Sequence, residues 1–218
     1  MRACTQTQVD EQLIPWNESD FWVTAFGDHP HLLAELMTEV QEKGGIARSF
    51  VFAHSTSDPV ELFLVAMAWG FGRTNIRWPK QRAMLMPQFR ESAAIASIVS
   101  ETQKNGAGAG WSALWGRHHV PGLGAAFGTK LLYFSGYREI ATGLRPLILD
   151  ANVRRGLAAP ETGLQEKFGY WRADYERYLA IAQSWADDPE WGGTPEVVEF
   201  ALFEWGKNLA AARPATKP

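Results

Sequence analysis

With 218 residues, 46% of them hydrophobic, the chain is long enough to bury one sizeable core, or two small lobes that share a cleft, without disulfides or metals. Its single cysteine, Cys4, excludes a disulfide framework and a cysteine-ligated zinc or iron–sulfur site, and the polar sequence around it favours a reducing cytoplasm over export. The longest apolar run, at 62–69, is far shorter than the roughly 20 residues that cross a bilayer, so no membrane span is expected.

The formal net charge of −3 is unevenly distributed along the chain. Residues 70–160 contain 12 Lys and Arg against four Asp and Glu, a net charge of +8, whereas the two ends together carry 9 basic and 20 acidic residues, a net charge of −11. Lys and Arg bind DNA by displacing the counterions that condense on phosphates, so a basic segment in an acidic protein is typical of a phosphate-binding face. A basic helix face that only keeps the protein in solution explains the charge equally well.

Apolar residues at helical spacing outnumber alternating, strand-like patterns, so the chain is expected to be mainly α-helical. Residues 31–43 predict an amphipathic helix that is closed by a Gly-Gly pair. The Asp-Pro pair at 58–59 is typical of a helix start, and the following segment is apolar nearly all round. This segment is therefore the predicted core helix.

The predicted elements continue with a glycine-broken turn at 70–82, in which basic and aromatic residues alternate, and a helix at 86–103. The glycine-rich run at 105–110 is the best candidate for a flexible boundary between two lobes. Two long helices are predicted at 165–178 and 195–212. Their tryptophans fall at helical spacing and are interpreted as core residues: Trp171, Trp185, Trp191 and Trp205.

A glycine hairpin is the first of two specific motifs. Residues 111–117 predict a short helix, 120–124 a tight turn and 125–134 a second helix. Gly122 and Gly124 would leave backbone N–H groups unobstructed at a helix N-terminus, which is a ready phosphate site that holds DNA without reading its sequence. A purely structural turn between two helices gives the same pattern.

The second motif is a lysine and a carboxylate, each beside an apolar run. Lys130 follows Gly128-Thr129 at the start of an apolar helix, where partial burial would favour the neutral amine, whose lone pair can attack a carbon such as the sugar C1′. Asp150 ends an apolar run and precedes a helix, so it is expected to cap that helix. A carboxylate held there can also stabilise an oxocarbenium-like sugar in the transition state.

The order of these motifs resembles the helix-hairpin-helix DNA glycosylases of the 8-oxoguanine branch, in which a glycine hairpin leads to Gly-Thr-Lys and then to Val-Asp-x-x-Val. By this resemblance Lys130 matches the Schiff-base lysine, Asp150 the essential aspartate and Val153 the valine that follows. The overall layout is similar to short bacterial proteins of the 8-oxoguanine glycosylase fold. One branch of these acts in antiviral defence by removing glucosylated hydroxymethylcytosine from phage DNA.

The resemblance implies a mainly α helix-hairpin-helix DNA glycosylase fold, with two helical lobes around a cleft, a single domain over 1–218 and a hairpin and catalytic segment at 108–157. It implies double-stranded DNA with a modified base as the partner, and no cofactor, membrane or obligate protein partner. The sequence departs from the family pattern where Ala125-Ala126-Phe127 separates the glycine turn from Gly128. The hairpin could therefore be 124–128 instead, which makes Gly128 and Thr129 further candidates for phosphate contact.

The remaining candidates surround the two motifs. Asn75 resembles the asparagine that enters the gap left by an extruded base. Adjacent histidines in one loop point in different directions and lack a nearby carboxylate pair, so no metal site is expected there. The other DNA-contact candidates are Arg73, Arg77, Lys80, Arg117, His118 and His119, and the candidate walls of a base pocket are Trp69, Phe71, Trp78 and Tyr133.

Three functions fit this pattern. The first is a glycosylase that extrudes a modified base, hydrolyses its N-glycosidic bond and leaves an abasic site, with glucosylated hydroxymethylcytosine as the leading substrate. The second is repair of an oxidised purine such as 8-oxoguanine, with or without lyase activity through Lys130. The two differ in the pocket, which is roomy for the first and snug for the second. The third is a non-catalytic DNA-binding protein in which Lys130 only packs and Asp150 only caps its helix.

Overall fold

The computed structural model describes residues 4–74, 76–116, 119–140, 143–159, 162, 170–189 and 193–212. These residues are mainly helical, as predicted, and none of their helices is long and apolar enough to span a membrane. Strands β1 (Leu13–Ile14) and β2 (Ile46–Ala47) pair antiparallel, with Leu13 opposite Ala47. A short 3-10 helix spans Pro87–Phe89, and the α-helices in chain order are α1 (Gln6–Asp10), α2 (Asp20–Ala25), α3 (Pro30–Lys43), α4 (Arg48–Ala53), α5 (Pro59–Phe71), α6 (Pro79–Ala83), α7 (Ser92–Asn105), α8 (Ala107–Trp115), α9 (Ala125–Gly136), α10 (Ala151–Leu157), α11 (Arg172–Ala186) and α12 (Pro195–Ala211).

The core is built around α5, as its sequence predicts. Asp58 accepts a hydrogen bond from the Val60 N–H at 2.8 Å and so caps the helix, and Pro59 occupies the first helical position. Nearly every residue of α5 is buried, which explains why its sequence is apolar on all sides. α9 packs against α5 and is also mostly buried. The two central helices therefore give the functional segments a rigid base.

Helices α10 and α12 cross at very close range. A Cβ added to Gly206 would collide with the backbone carbonyl of Asn152, and one added to Gly156 would collide with the carbonyl of Leu202. The two glycines let the helix backbones touch. This crossing fixes α10, and hence Asp150 at its N-terminus, relative to α12.

The bounds of several elements differ from those predicted. At 105–110, α7 ends at Asn105, Gly106 has a φ of +81° and α8 begins at Ala107, four residues before the predicted start; a lobe boundary at this junction stays a prediction. The helix expected from 86 begins six residues later, after the 3-10 turn. Part of the segment 165–178 lies outside the described residues, and α11 begins only at Arg172.

The C-terminal tryptophans also differ from one another. Trp171 is 76% exposed, contrary to its interpretation as a core residue, because it precedes α11 instead of lying within it. Trp185 and Trp205 are partly buried within their helices. Trp191 lies outside the described residues.

Candidate active site

The glycine hairpin forms as predicted. α8 ends at Trp115, Gly124 is the N-cap residue of α9, and Gly122 has a φ of +97°, which favours glycine. Gly122 also packs on the backbone of Lys80, where a Cβ would collide with the carbonyl. Residues 125–127 are the first turn of α9, so the turn is formed by Gly122 and Gly124 and not by 124–128.

Lys130 and Asp150 lie side by side, although 20 residues separate them in the chain. Lys130 Nζ is 3.6 Å from Asp150 Oδ2, and the side chains are only 9% and 17% exposed. The ammonium group also donates to the Ala126 carbonyl at 3.2 Å and lies 5.3 Å from the centre of the Phe127 ring. The predicted lysine and carboxylate thus form a single, largely desolvated pair.

Asp150 is held by α10. Its Oδ1 accepts hydrogen bonds from the Asn152 and Val153 N–H groups at 2.9 and 3.0 Å, so it is the N-cap that the sequence predicts. Its other carboxylate oxygen is the one that faces Lys130. A single side chain therefore caps the helix and contacts the amine.

The segment before Asp150 is fixed by buried hydroxyl groups. Thr129 Oγ1 accepts the Leu149 N–H at 3.0 Å, and the Tyr175 and Tyr178 hydroxyls donate to the carbonyls of Leu147 and Ile148 at 3.0 and 3.1 Å. All three hydroxyl-bearing residues are fully buried. These bonds set the position of the carboxylate relative to α9.

The pair lies on the wall of a cavity of about 590 Å³. The predicted pocket residues Trp69 and Phe71 line it, together with Arg73. Its walls come from two parts of the chain, residues 12–74 and residues 130–203. A second cavity, of about 750 Å³, lies where α7, α8 and α11 meet, and none of the predicted site residues lines it.

A buried polar network that sequence reasoning missed lies at the floor of the first cavity. Arg48, 1% exposed, donates to Glu199 Oε2 at 2.8 Å, to the Tyr133 hydroxyl at 2.9 Å and to Gln12 Oε1 at 2.9 Å. The Tyr133 hydroxyl in turn donates to Glu196 at 2.6 Å. Arg48 and Glu199 both line the cavity, so the network brings charge to its inner surface.

Burial dominates the electrostatics of this network. It raises the pKa of the Glu199 carboxyl above its usual range, and the charges of Asp150 and Glu196 raise it further, whereas the Arg48 guanidinium lowers it. Burial likewise raises the pKa of the Tyr133 hydroxyl, so Tyr133 remains a neutral hydrogen-bond donor. The Glu196 and Glu199 carboxyl groups and the Arg48 guanidinium are thus all buried in one region.

A sequence signal for the network does exist. Glu196 and Glu199 interrupt the apolar face of α12, and both are buried. A carboxylate at a position that helical spacing assigns to the core needs a buried partner. For Glu199 that partner is Arg48, which is 151 residues away in sequence, and for Glu196 it is the Tyr133 hydroxyl. A single sequence gives no means of finding either pair.

The other predicted site residues divide into four groups. Gly128 packs against the Leu114 side chain and Thr129 is fully buried, so neither reaches a phosphate, contrary to expectation. Trp78 is 71% exposed and Tyr133 lies beneath the floor, so neither is part of the cavity lining. Arg73, Arg77, Lys80 and His119 are exposed, whereas Asn75, Arg117 and His118 lie outside the described residues.

One group of possible metal ligands occurs among the described residues, and it lies apart from the cavity lining. His29, His31 and Glu61 place ligand atoms within 4.8 Å of one another where α3 and α5 begin. Glu61 Oε1 lies 3.4 Å from His29 Nδ1 and 3.0 Å from His31 Nε2, so the three side chains already satisfy one another.

Comparison with known proteins is consistent with this geometry. Residues 7–203 match the model of a family described as "Putative 8-oxoguanine DNA glycosylase OGG-like protein". No curated protein and no solved structure matches the chain.

Proposed function

Because the chain belongs to this family of 8-oxoguanine DNA glycosylase-like proteins, we propose that it excises a modified base from double-stranded DNA through Lys130 and Asp150. The observation that carries the proposal is the 3.6 Å approach of the lysine amine to the carboxylate at the wall of the cavity. The glycosidic bond inside a base stack is inaccessible, so the target nucleotide would be extruded into this cavity.

Asp150 is suited to stabilise the reacting sugar. As the bond between C1′ and the base nitrogen breaks, its electron pair leaves with the base and positive charge develops on the sugar. The Asp150 carboxylate, fixed by two backbone N–H groups, requires little rearrangement to face that charge.

Lys130 has two possible roles, which an experiment separates. As a neutral amine it attacks C1′ while the base leaves with the electron pair of the glycosidic bond, and the new amine then loses a proton. The C1′–O4′ bond breaks next, O4′ takes up a proton, and the ring-opened sugar is left as a Schiff base, which would permit subsequent lyase chemistry. Alternatively it positions the sugar and a water molecule that hydrolyses the bond directly. Borohydride reduces and traps only the Schiff base.

Exposed groups near the hairpin would hold the DNA. The hairpin turn packs on the first turn of α6, where Gly122 lies against the Lys80 backbone, so the Gly122 N–H and the exposed Lys80 side chain would contact phosphates. The Gly124 N–H already donates to the Gly122 carbonyl at 3.1 Å, so Gly124 would shape the turn and not bind a phosphate through that group. Arg73 lines the cavity and Arg77 is exposed nearby in sequence, so both would contact flanking phosphates. Asn75, Arg117, His118 and His119 remain predictions for the same role.

The cavity supports a substrate larger than an oxidised purine. Glucosylated hydroxymethylcytosine has nearly twice as many non-hydrogen atoms as 8-oxoguanine, and a volume of about 590 Å³ is ample for the larger base. We therefore propose glucosylated hydroxymethylcytosine in phage DNA as the leading substrate, and hence antiviral defence in a bacterial cytoplasm as the role.

The walls of the cavity come from residues 12–74 and residues 130–203, which favours an arrangement of two lobes around a cleft.

The test is incubation with duplexes that carry 8-oxoguanine, uracil, alkylated purines, hydroxymethylcytosine or its glucosylated form, followed by alkali to cleave abasic sites. We expect cleavage at one modified base, and loss of cleavage in Lys130→Gln and Asp150→Asn. Asn caps helices as well as Asp does, so Asp150→Asn removes the charge and preserves the cap.

The chain offers a matched control for each variant. Asp58→Asn makes the same change at another helix cap, and Lys207→Gln removes an exposed lysine that pairs with Glu204. Both controls should retain full activity. Excision by both catalytic-site variants would overturn the proposal, and tight DNA binding without abasic sites on any duplex would favour the non-catalytic DNA-binding protein.

A further inference from the structure

Two residues that line the cavity each carry a buried polar atom without a hydrogen-bond partner. Among the described residues, the buried side-chain atoms without a partner are Trp16 Nε1, Trp69 Nε1, Arg90 Nε and Glu199 Oε1. Trp69 and Glu199 line the cavity that holds Lys130 and Asp150, and the other two do not. The cavity is therefore where an unpaired donor and an unpaired acceptor occur together.

The surrounding network explains why these atoms remain unpaired. Arg48 donates to the other carboxylate oxygen of Glu199, Oε2, and the Tyr133 hydroxyl donates to Glu196 instead of to Glu199. Trp69 packs its ring edge-on against Phe134 at 5.2 Å, with the Arg48 guanidinium 5.5 Å from its ring centre. Each side chain is thus fixed by other contacts while one polar atom is left without a partner. Buried polar groups are rarely left so in folded proteins, and a ligand can supply the missing partners.

We propose that Glu199 and Trp69 recognise the extruded base at the floor of the cavity. Glu199 Oε1 accepts an N–H of the base, and Trp69 Nε1–H donates to a ring nitrogen or carbonyl oxygen of the same base. This inference rests on the proposed function and names the base-reading residues of that site. Both atoms are buried, so only a base that enters to the floor reaches them.

The pair defines a class of substrate. A donor and an acceptor in one cavity can match the pairing edge of a nucleobase, which presents acceptors and N–H donors side by side, and a carboxylate that accepts from the amino group of cytosine is a known pairing. The base would be read through an intact pairing edge, and its modification would lie elsewhere, such as C5 of a pyrimidine or C8 of a purine. Bases alkylated on the pairing edge would be rejected.

The test compares binding to duplexes with and without a base. In a Lys130→Gln background, which prevents turnover, Kd is measured for duplexes that carry glucosylated hydroxymethylcytosine, 8-oxoguanine or a tetrahydrofuran abasic analogue. In Glu199→Gln the amide oxygen can still accept from Arg48, and the amide NH₂ replaces Oε1. The variant therefore places a hydrogen-bond donor where the wild type has an acceptor. Trp69→Phe removes the N–H and keeps a ring against Phe134.

We expect each variant to lower the preference for the base-bearing duplex over the abasic duplex by about tenfold, and to change the abasic Kd less than about twofold. Glu204→Gln, a change on the same helix at a carboxylate that pairs with Lys207 outside the cavity lining, should leave the preference intact.

The inference would be overturned if either variant kept the preference for the base-bearing duplex, or if it weakened binding to both duplexes equally. It would also be overturned if the Lys130→Gln protein itself preferred no base-bearing duplex over the abasic one. The two proposals can fail separately. If the wild-type protein releases no base from any duplex, but the preference for a base-bearing duplex is still lost in Glu199→Gln, the proposed function is rejected and the inference stands.

Discussion

Gly70 allows Lys130 to be displaced without any change to its chemistry. A Cβ added at Gly70 would lie 2.9 Å from Lys130 Cδ and 3.1 Å from Phe127 Cε1. Ordinary contact begins at 3.4 Å, so in Gly70→Ala the lysine side chain must move by at least about 0.5 Å. A misplacement of about 1 Å at a reacting group lowers rates about a hundredfold, so we expect a rate loss of about tenfold.

The assay is single-turnover base release on the modified duplex that the wild type cleaves. Stability should not fall, because Ala in a helix is favoured over Gly by up to about 1 kcal/mol, which offsets the crowding. Kd for an abasic duplex should also stay constant. Gly27→Ala is the control: it lies outside the cavity lining, and its added Cβ would have no neighbour closer than 3.2 Å. Wild-type turnover in Gly70→Ala would refute the argument that the position of the lysine amine limits the reaction.

The remaining predictions concern stability and DNA affinity. Arg48→Met should lower the free energy of unfolding in urea by about 3–5 kcal/mol, because it leaves Glu199 buried without a counter-charge, and adding Glu199→Met should recover most of that loss. If the double variant is no more stable than the single one, the charge pairing is not responsible. Gly206→Ala should lower the melting temperature by forcing α10 away from α12, and an unchanged value would contradict the close crossing. Arg77→Ala should weaken binding to every duplex and reduce the slope of log K against log salt by about 0.9, whereas an unchanged slope would exclude its phosphate contact. Burial lowers the pKa of His54 below 6.5, so unfolding takes up a proton in acid and stability should fall as pH drops below 6.5. His54→Asn should weaken that pH dependence in thermal melts, and an identical profile would assign it to other groups.

Local signals in the sequence predicted much of the fold and of the site. The Asp58-Pro59 start and the apolar sequence of α5 predict its position, and the glycine turn predicts α9, because caps, turns and periodicity act over only a few residues. The cap role of Asp150 is local in the same way and is confirmed. That Lys130 and Asp150 share a site was indicated by the family resemblance alone, since their contact joins separate elements.

The errors arose where burial depends on the tertiary fold. Trp69 and Trp78 are the same residue type, yet one is 3% and the other 71% exposed, because one lies within α5 and the other precedes the short α6 at the surface. Thr129 looked like part of a phosphate loop, but the helix turns it inward to receive the Leu149 N–H. A pattern over a few residues does not determine which side of a helix the neighbouring helices will cover in the folded protein.

Helix α9 carries both the proposed phosphate-binding turn and the proposed catalytic lysine, so it would connect DNA binding with catalysis in one rigid element. The hairpin turn that would hold a phosphate ends at Gly124, and Lys130 is six residues further along the same helix. At 1.5 Å per residue, the helix separates the phosphate site from the amine by about 9 Å along its axis. At about 100° per residue, it also fixes the direction in which the amine points. Because nearly the whole helix is buried, the distance from the turn to the amine and the direction of the amine are both fixed. A duplex bound at the hairpin would therefore present its extruded sugar to Lys130 at a distance set by the helix backbone.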